Sequence, residues 1–446
     1  MRSGSCLSAA FILTVYLLSS AGPAGALWEH RGGNSSAELG GSIRTVGALI
    51  QYYDEPGLFG EGNELDGLSQ TILRFTLEGD LEPVCSYEAH LVSDLTWTNT
   101  PAGGFALPGA AGGSGETRYR VVDLSLEWLD QGNWNGDLFL DRLNLKAELP
   151  RADLLIGRQA INFSQAYFWN PLDIFLPFDP EAFDRDYKPG VDAALLDIPL
   201  GAFSGLILVY APGRELTLET GDAGLQVTAV DFADEPWYGS ALVGRARTNL
   251  RNWDLTLQGG KIYGGWQAGG GFSGEIGTFG LRGEATWFTP MENRGILVAG
   301  REIDLLTEHA AAVIGGDRRF DNSLHVNVEY LYNGAGGDIM AGIIRQAVGE
   351  TLSLGKHELG IQASYEISPL LTGSFSWIIN LTDSSSLVSP FLSRSLSNES
   401  EFLIGAILGF GSRPESTGEG GFGGIDLRSE YGTYPNTFFA EFKLYF

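Results

Sequence analysis

A period of two constrains this chain more than any other feature. Its last ten residues, TFFAEFKLYF at 437–446, put Phe438, Ala440, Phe442, Leu444 and Phe446 on one side of an extended strand. Thr437, Phe439, Glu441, Lys443 and Tyr445 fall on the other side. Such a strand must bury its first face and wet its second. The alternation recurs along the chain. Leu73, Phe75 and Leu77 oppose Arg74, Thr76 and Glu78, and Leu143, Leu145, Ala147 and Leu149 oppose Arg142, Asn144, Lys146 and Glu148. Val326, Val328 and Tyr330 oppose His325, Asn327 and Glu329. A further strand is expected over 119–129, with Val122, Leu124, Leu126 and Trp128 opposite Asp123, Ser125 and Glu127. Helical periodicity fits these segments poorly.

A half-charged strand needs water on one side, so the question is how so many are housed. No linker, internal repeat or composition shift divides the 446 residues, which favours one domain. Mean hydropathy is close to zero, and beyond the first 26 residues no apolar run is long enough for a helix to cross a bilayer. A closed barrel suits both facts: it satisfies every backbone group while presenting an apolar band outside and a wet lumen inside. The expected fold is therefore all-β, a single transmembrane antiparallel up-and-down β-barrel. About 420 residues at roughly 23–26 per strand and connection give about 16–18 strands, a size that leaves an aqueous channel. Arg2, the apolar stretch 7–18 and Ala24-Gly25-Ala26 have the layout of a secretory signal peptide, so 1–26 is expected to be a leader and 27–446 the barrel.

Several classes of chemistry find no support. The net charge of −27 comes without a basic patch, which argues against a nucleic-acid partner. There is no Gly-x-Ser-x-Gly, no Walker loop and no His-Glu-x-x-His, and the five histidines are dispersed. Neither an enzyme, a cofactor nor a metal is expected.

One segment breaks the pattern. Residues 162–190, NFSQAYFWNPLDIFLPFDPEAFDRDYKPG, fit neither period and are too aromatic to lie free in water. Folded into the lumen, the segment would bury its rings and present Asp173, Asp179, Glu181, Asp184, Arg185, Asp186 and Lys188 to the channel, as a constriction loop. Deleting 175–186 should then raise conductance. Arg142, Arg158, Arg245, Arg247 and Arg282 are the expected pore-lining cations of the wall. Bore and lining charge together set selectivity in such pores, and the net acidity tilts the expected preference towards cations.

The terminal strand resembles the last strand of bacterial outer-membrane β-barrels, which ends in Phe or Trp. That likeness implies that Phe446 and Phe442 form the signal read by the outer-membrane assembly machinery. The chain as a whole resembles Gram-negative porin-like barrels. The nearest likeness is to substrate-specific porins and alginate-export-type proteins, in which a motif like Gly157-Arg158-Gln159 leads into a long loop. The resemblance implies a place in the outer membrane of a Gram-negative bacterium, contact with outer-membrane lipid, and passive diffusion of small hydrophilic solutes or ions. A homo-oligomer is compatible with it. The alternative is a barrel that sheathes or anchors a periplasmic, export or electron-transfer partner.

Overall fold

Eighteen antiparallel strands close into a ring in the computed structural model. It describes residues 26–33, 35–52, 65–82, 84–99, 118–182, 185–221, 224–229, 236–298, 300–351, 353–416 and 425–446. In chain order the strands are β1 Ser35–Gln51, β2 Leu65–Glu82, β3 Cys85–Thr98, β4 Trp134–Leu149, β5 Ala152–Gln159 and β6 Val191–Pro199. There follow β7 Ser204–Ala211, β8 Ala241–Leu250, β9 Trp253–Ile262, β10 Gly265–Ile276, β11 Phe279–Pro290 and β12 His309–Arg319. The last six are β13 His325–Asn333, β14 His357–Ser368, β15 Leu371–Asn380, β16 Ser385–Ser395, β17 Ser400–Phe410 and β18 Asn436–Tyr445. Each pairs with its neighbours in sequence, and β18 closes the ring on β1 from Ser42↔Tyr445 to Gln51↔Asn436. The strand number is the upper end of the expected range.

The two ends differ. At one, strands join through tight turns such as Gly277-Thr278 between β10 and β11. Gly277 there has a φ of 65°, a left-handed conformation glycine adopts without strain. The other end carries the long connections, which hold short hairpins and the helix Ile339–Ala347, whose N-terminus is capped by Asp338 accepting from the Ala341 amide at 3.1 Å. Two further strands extend the sheet edges. Trp28–Gly32 pairs with the start of β1, beyond the point where β18 ends, and Ser125–Gln131 pairs with the start of β4.

The expected faces hold. On β18, Thr437, Phe439, Glu441 and Lys443 are buried inside, while Phe438 is half-exposed on the outer side with Ala440, Phe442 and Leu444. Phe446 is held at the outer face by paired backbone bonds with Gly41 (2.6 and 2.9 Å), its ring 6.2 Å from that of Phe75.

Two local features depart from plain alternation. The strand expected over 119–129 begins only at Ser125. Upstream, the Val121 and Val122 amides both donate to Asp192 Oδ2, at 2.9 and 3.0 Å, and a carboxylate thus takes donors a ladder would use. Tyr119 instead turns fully into the interior. In β4 the register slips opposite His90 and Leu91, leaving Asp141 as the extra residue of a bulge. A bulge breaks the side-chain alternation, so Asp141 and Arg142, adjacent in sequence, are both buried inside.

Candidate functional site

Gly157-Arg158-Gln159 ends β5 and sets the base of the long segment that follows. Gly157 has a φ of 122°, and a Cβ on it would stand 2.2 Å from the Leu143 carbonyl oxygen of β4. Only glycine allows that approach. Arg158 forks onto Asp192 of β6, Nε to Oδ1 at 2.8 Å and Nη2 to Oδ2 at 3.1 Å. Gln159 Nε2 donates to the Ala193 carbonyl at 3.0 Å. Both limbs are thus fixed where they leave the wall.

Between them the segment crosses the lumen. Its aromatics form the seeds of two interior clusters. Phe163 and Phe175 pack with Tyr119 (ring centroids 5.7 and 5.4 Å from Phe175), while Phe168 and Trp169 enter a second cluster with Val313, Leu331 and Ile378. Burying each ring is worth roughly 1.5–3 kcal/mol, but the backbone around them also needs partners. The wall supplies these. Glu284 of β11 accepts from the Gln165 amide (2.9 Å) and the Leu172 amide (3.0 Å). Glu329 of β13 accepts from the Tyr167 amide (2.7 Å) and the Phe168 amide (2.8 Å). Gln258 Nε2 donates to the Leu172 carbonyl at 2.8 Å.

The charges expected to line a channel divide into two groups. Asp173 and Lys188 are both buried. They pair with each other at 2.5 Å, with Ser164 Oγ on Asp173 (2.6 Å) and the Ile161 carbonyl on Lys188 (2.6 Å), and so staple the loop's two limbs together. Burial, its largest influence, holds the Lys188 ammonium below its usual range. The others sit against the wall. Tyr434 donates to Glu181 Oε1 at 2.6 Å. Arg185 lies over the Tyr167 ring, 4.7 Å from its centroid, and bonds the Tyr167 and Pro180 carbonyls; its Nη2 reaches the carbonyl of the exposed Asp179 at 3.3 Å. Asp186 accepts from Lys443 Nζ (2.7 Å) and Tyr445 OH (2.6 Å). Burial would raise its carboxyl, but these two bonds outweigh it and hold it below the usual carboxylate range. Asp184 lies outside the described residues.

Four of the five expected wall arginines gather round the loop. Arg245 bonds the Phe163 carbonyl at 3.1 Å. Arg282 bridges Glu329 (3.0 Å), Asp317 (3.0 Å) and Asn327 (2.5 Å). Arg142 and Arg158 stand on the opposite wall. Arg247 does not join them; it is exposed near the short-turn end and paired with Asp197 at 2.8 Å. Around Asp141 three guanidiniums converge: Arg74 Nη1 at 2.9 Å, Arg120 Nη2 at 2.9 Å and Arg142 Nη1 at 2.7 Å, with the Gly190 amide at 3.1 Å. Arg74 also lies over the ring of Tyr187, 4.1 Å from its centroid.

Open space is divided by the loop. On the long-connection side is a cavity of about 460 Å³, lined by Arg118, Arg120, Tyr119, Tyr263 and the loop itself. On the short-turn side another of about 490 Å³ is lined by Glu38, Glu78, Glu88 and Lys146. Beside the loop, Arg44, Arg74, Asp186, Tyr187 and Lys443 surround a separate gap of about 30 Å³. Among the described residues, Glu78, Glu88 and His90 bring ligand-type atoms within 4.8 Å of one another. His90 Nδ1, however, faces Arg74 Nη1 at 3.4 Å and must accept there, which leaves Nε2–H for Glu88 (3.2 Å) and Glu78 (3.4 Å). This is a hydrogen-bonded bridge, not a vacant set of metal ligands.

No family model matches the chain, and no curated protein matches it. Solved structures do. A BenF-like porin from Pseudomonas fluorescens Pf-5 aligns with a TM-score of 0.50 at 10% identity, over 92% of this chain and 98% of that one. OpdK from Pseudomonas aeruginosa, crystallised with vanillate, gives the same figures: 0.50, 10%, 92% and 98%. OccAB2 from Acinetobacter baumannii aligns at 0.49 and 10% identity over 92% and 98%. At such identities the likeness is one of fold.

Proposed function

We propose that this chain is an outer-membrane channel for passive diffusion of small hydrophilic solutes or ions, with the segment 162–190 setting its bore. The observation that carries this reading is the loop's position. It crosses the lumen bonded to β11 and β13 on one side and to β18 on another, between cavities of about 460 and 490 Å³. A barrel that sheathes a partner would need that space, so the sheath is disfavoured. The apolar outer face and the likeness in fold to porins support the outer membrane as its place.

The finer reading concerns charge. Net acidity would favour cations, but a solute at the gap meets a different surface. Arg118 and Arg120 line the cavity on the long-connection side, Arg120 shares Asp141 with Arg74 and Arg142, and Arg74, Arg44 and Lys443 line the gap against one carboxylate, Asp186. Low-dielectric walls focus such a field, so we infer local preference for anionic solutes. The test is the reversal potential of the purified protein in a planar bilayer across a KCl gradient, with vanillate, the molecule named with OpdK, in the solute panel. Anion preference that weakens in Arg74→Gln and Arg120→Gln is the expected result. Cation preference would return the argument to net charge, and a folded barrel that passes no current would remove the channel.

A further inference from the structure

Two carboxyl groups are buried side by side at the long-connection end, outside the loop and its anchors. Glu358 is the second residue of β14 and Glu430 precedes the turn Tyr431–Thr433; they are 0% and 4% exposed. Both accept from the same donor, the Gly355 amide, at 3.2 Å to Glu358 Oε1 and 3.1 Å to Glu430 Oε2. Glu358 also takes Ser353 Oγ and Tyr431 OH (3.0 Å). Glu430 takes the Leu354 amide (2.8 Å) and Asn380 Nδ2 (2.7 Å). Among the described residues no lysine or arginine bonds either carboxylate, so two full negative charges there would go uncompensated.

We propose that Glu358 and Glu430 share one proton and act as a pH-operated clasp on this end of the barrel. The clasp joins the segment 353–355, which follows the helix Ile339–Ala347, to the turn at 430–433. It reaches the lumen as well: the Tyr431 ring packs on Tyr434 with centroids 5.7 Å apart, and Tyr434 donates to Glu181 of the in-folded loop. A proton lost at the mouth therefore loosens the loop's docking.

The charged and titratable groups that face this network decide its direction. Asp383 Oδ2 accepts from the Glu430 amide at 2.7 Å, and Asp179 stands beside Glu181. Both add negative charge. Arg185 lies near Glu181, and Arg413 is spent on the carbonyls of Gly409, Gly432 and Tyr434 behind the turn. Burial first, and then the Glu358 carboxylate, push the Glu430 carboxyl well above the usual range. Burial and then Asp179 push Glu181 up to about 7. A carboxyl raised on folding contributes in full below its unfolded value, about 4.3, and its contribution is lost as pH rises through the folded value. The clasp is therefore closed in acid and opens towards alkali, with the Glu181 part lost near neutrality.

The test is amide hydrogen exchange of Leu354 and Gly355 in the purified, detergent-folded protein from about pH 5 to about pH 9, expressed as protection so that intrinsic base catalysis cancels. Protection should fall by about tenfold or more over that range, and Glu430→Gln, which keeps a neutral donor in the same shape, should abolish the fall. Constant protection in the wild type, or an equal fall in Glu430→Gln, would overturn the proposal. If Glu430→Gln does not fold, Glu358→Gln serves in its place, and the wild-type profile alone still decides. Exchange is independent of conductance, so a non-conducting barrel would count against the channel and not the clasp. Where the barrel conducts, a matching rise in current with pH is expected, with its component near neutrality missing in Glu181→Gln.

Discussion

Replacing Glu284 and Glu329 together by alanine should release the loop from the wall and raise single-channel conductance about twofold or more, because an 18-strand barrel without its plug leaves a wide bore. The two carboxylates hold four loop amides, those of Gln165, Tyr167, Phe168 and Leu172. Phe168 and Leu172 are fully buried, so water cannot take over as partner while the loop stays docked. Each orphaned buried donor costs about 1–3 kcal/mol; the Phe168 and Leu172 amides are lost in this way, the half-buried Tyr167 amide loses its acceptor too, and Gln165 keeps only Asn170 Oδ1 at 3.0 Å. Deleting 175–186 is a less clean cut, since Phe175 is itself fully buried between Tyr119 and Phe163. The glutamine pair Glu284→Gln and Glu329→Gln keeps one acceptor oxygen per site and should fall between wild type and the alanine pair. Unchanged conductance in an alanine pair shown to be folded by heat-modifiable gel mobility would remove these residues as anchors.

Those glutamates are legible in the sequence as lumen-face charges, but not as anchors of the loop. Alternation alone placed Glu284 and Glu329 on the wet faces of their strands, and it placed Lys443 and Glu441 inside just as correctly. It says nothing of what a wet-face residue touches, because its partner lies more than a hundred residues away on a segment with no period. The same limit applies to Asp173 and Lys188. As charges in an aromatic loop they suggest a lining, but the fold brings the limbs together and spends them on each other. Strand number and closure were legible because they follow from length and from the need to satisfy backbone groups. The bulge at Asp141 was not, since one extra residue leaves no mark in an alternating pattern until its partner strand is known. Arg118 and Arg120 were hidden for a related reason: they flank Tyr119 in what looks like a strand, and only the Asp192 carboxylate, by capturing the next two amides, turns that stretch into an ordered coil.

Asp141 is where the bulge has its largest consequence. It is 3% exposed and is the shared counter-ion of Arg74, Arg120 and Arg142, each within 2.9 Å. Those three side chains are themselves nearly buried, so Asp141→Ala leaves like charges facing one another where water is scarce. Breaking a buried pair by removing one partner costs about 3–5 kcal/mol, and here three partners and the Gly190 amide lose it at once. The expected result is a markedly lower urea midpoint and a lower temperature for loss of the compact gel form. Asp141→Asn, which keeps two of the contacts as neutral acceptors, should lose less. Because the damage is repulsion among cations, it should shrink in sulfate, and it should shrink again when Arg120→Gln is added to Asp141→Ala. A single Arg120→Gln change should be comparatively mild, since Asp141 retains two guanidiniums. An Asp141→Ala barrel as stable as wild type would mean that the arginines find solvent or other acceptors, and that the bulge serves only to bend β4.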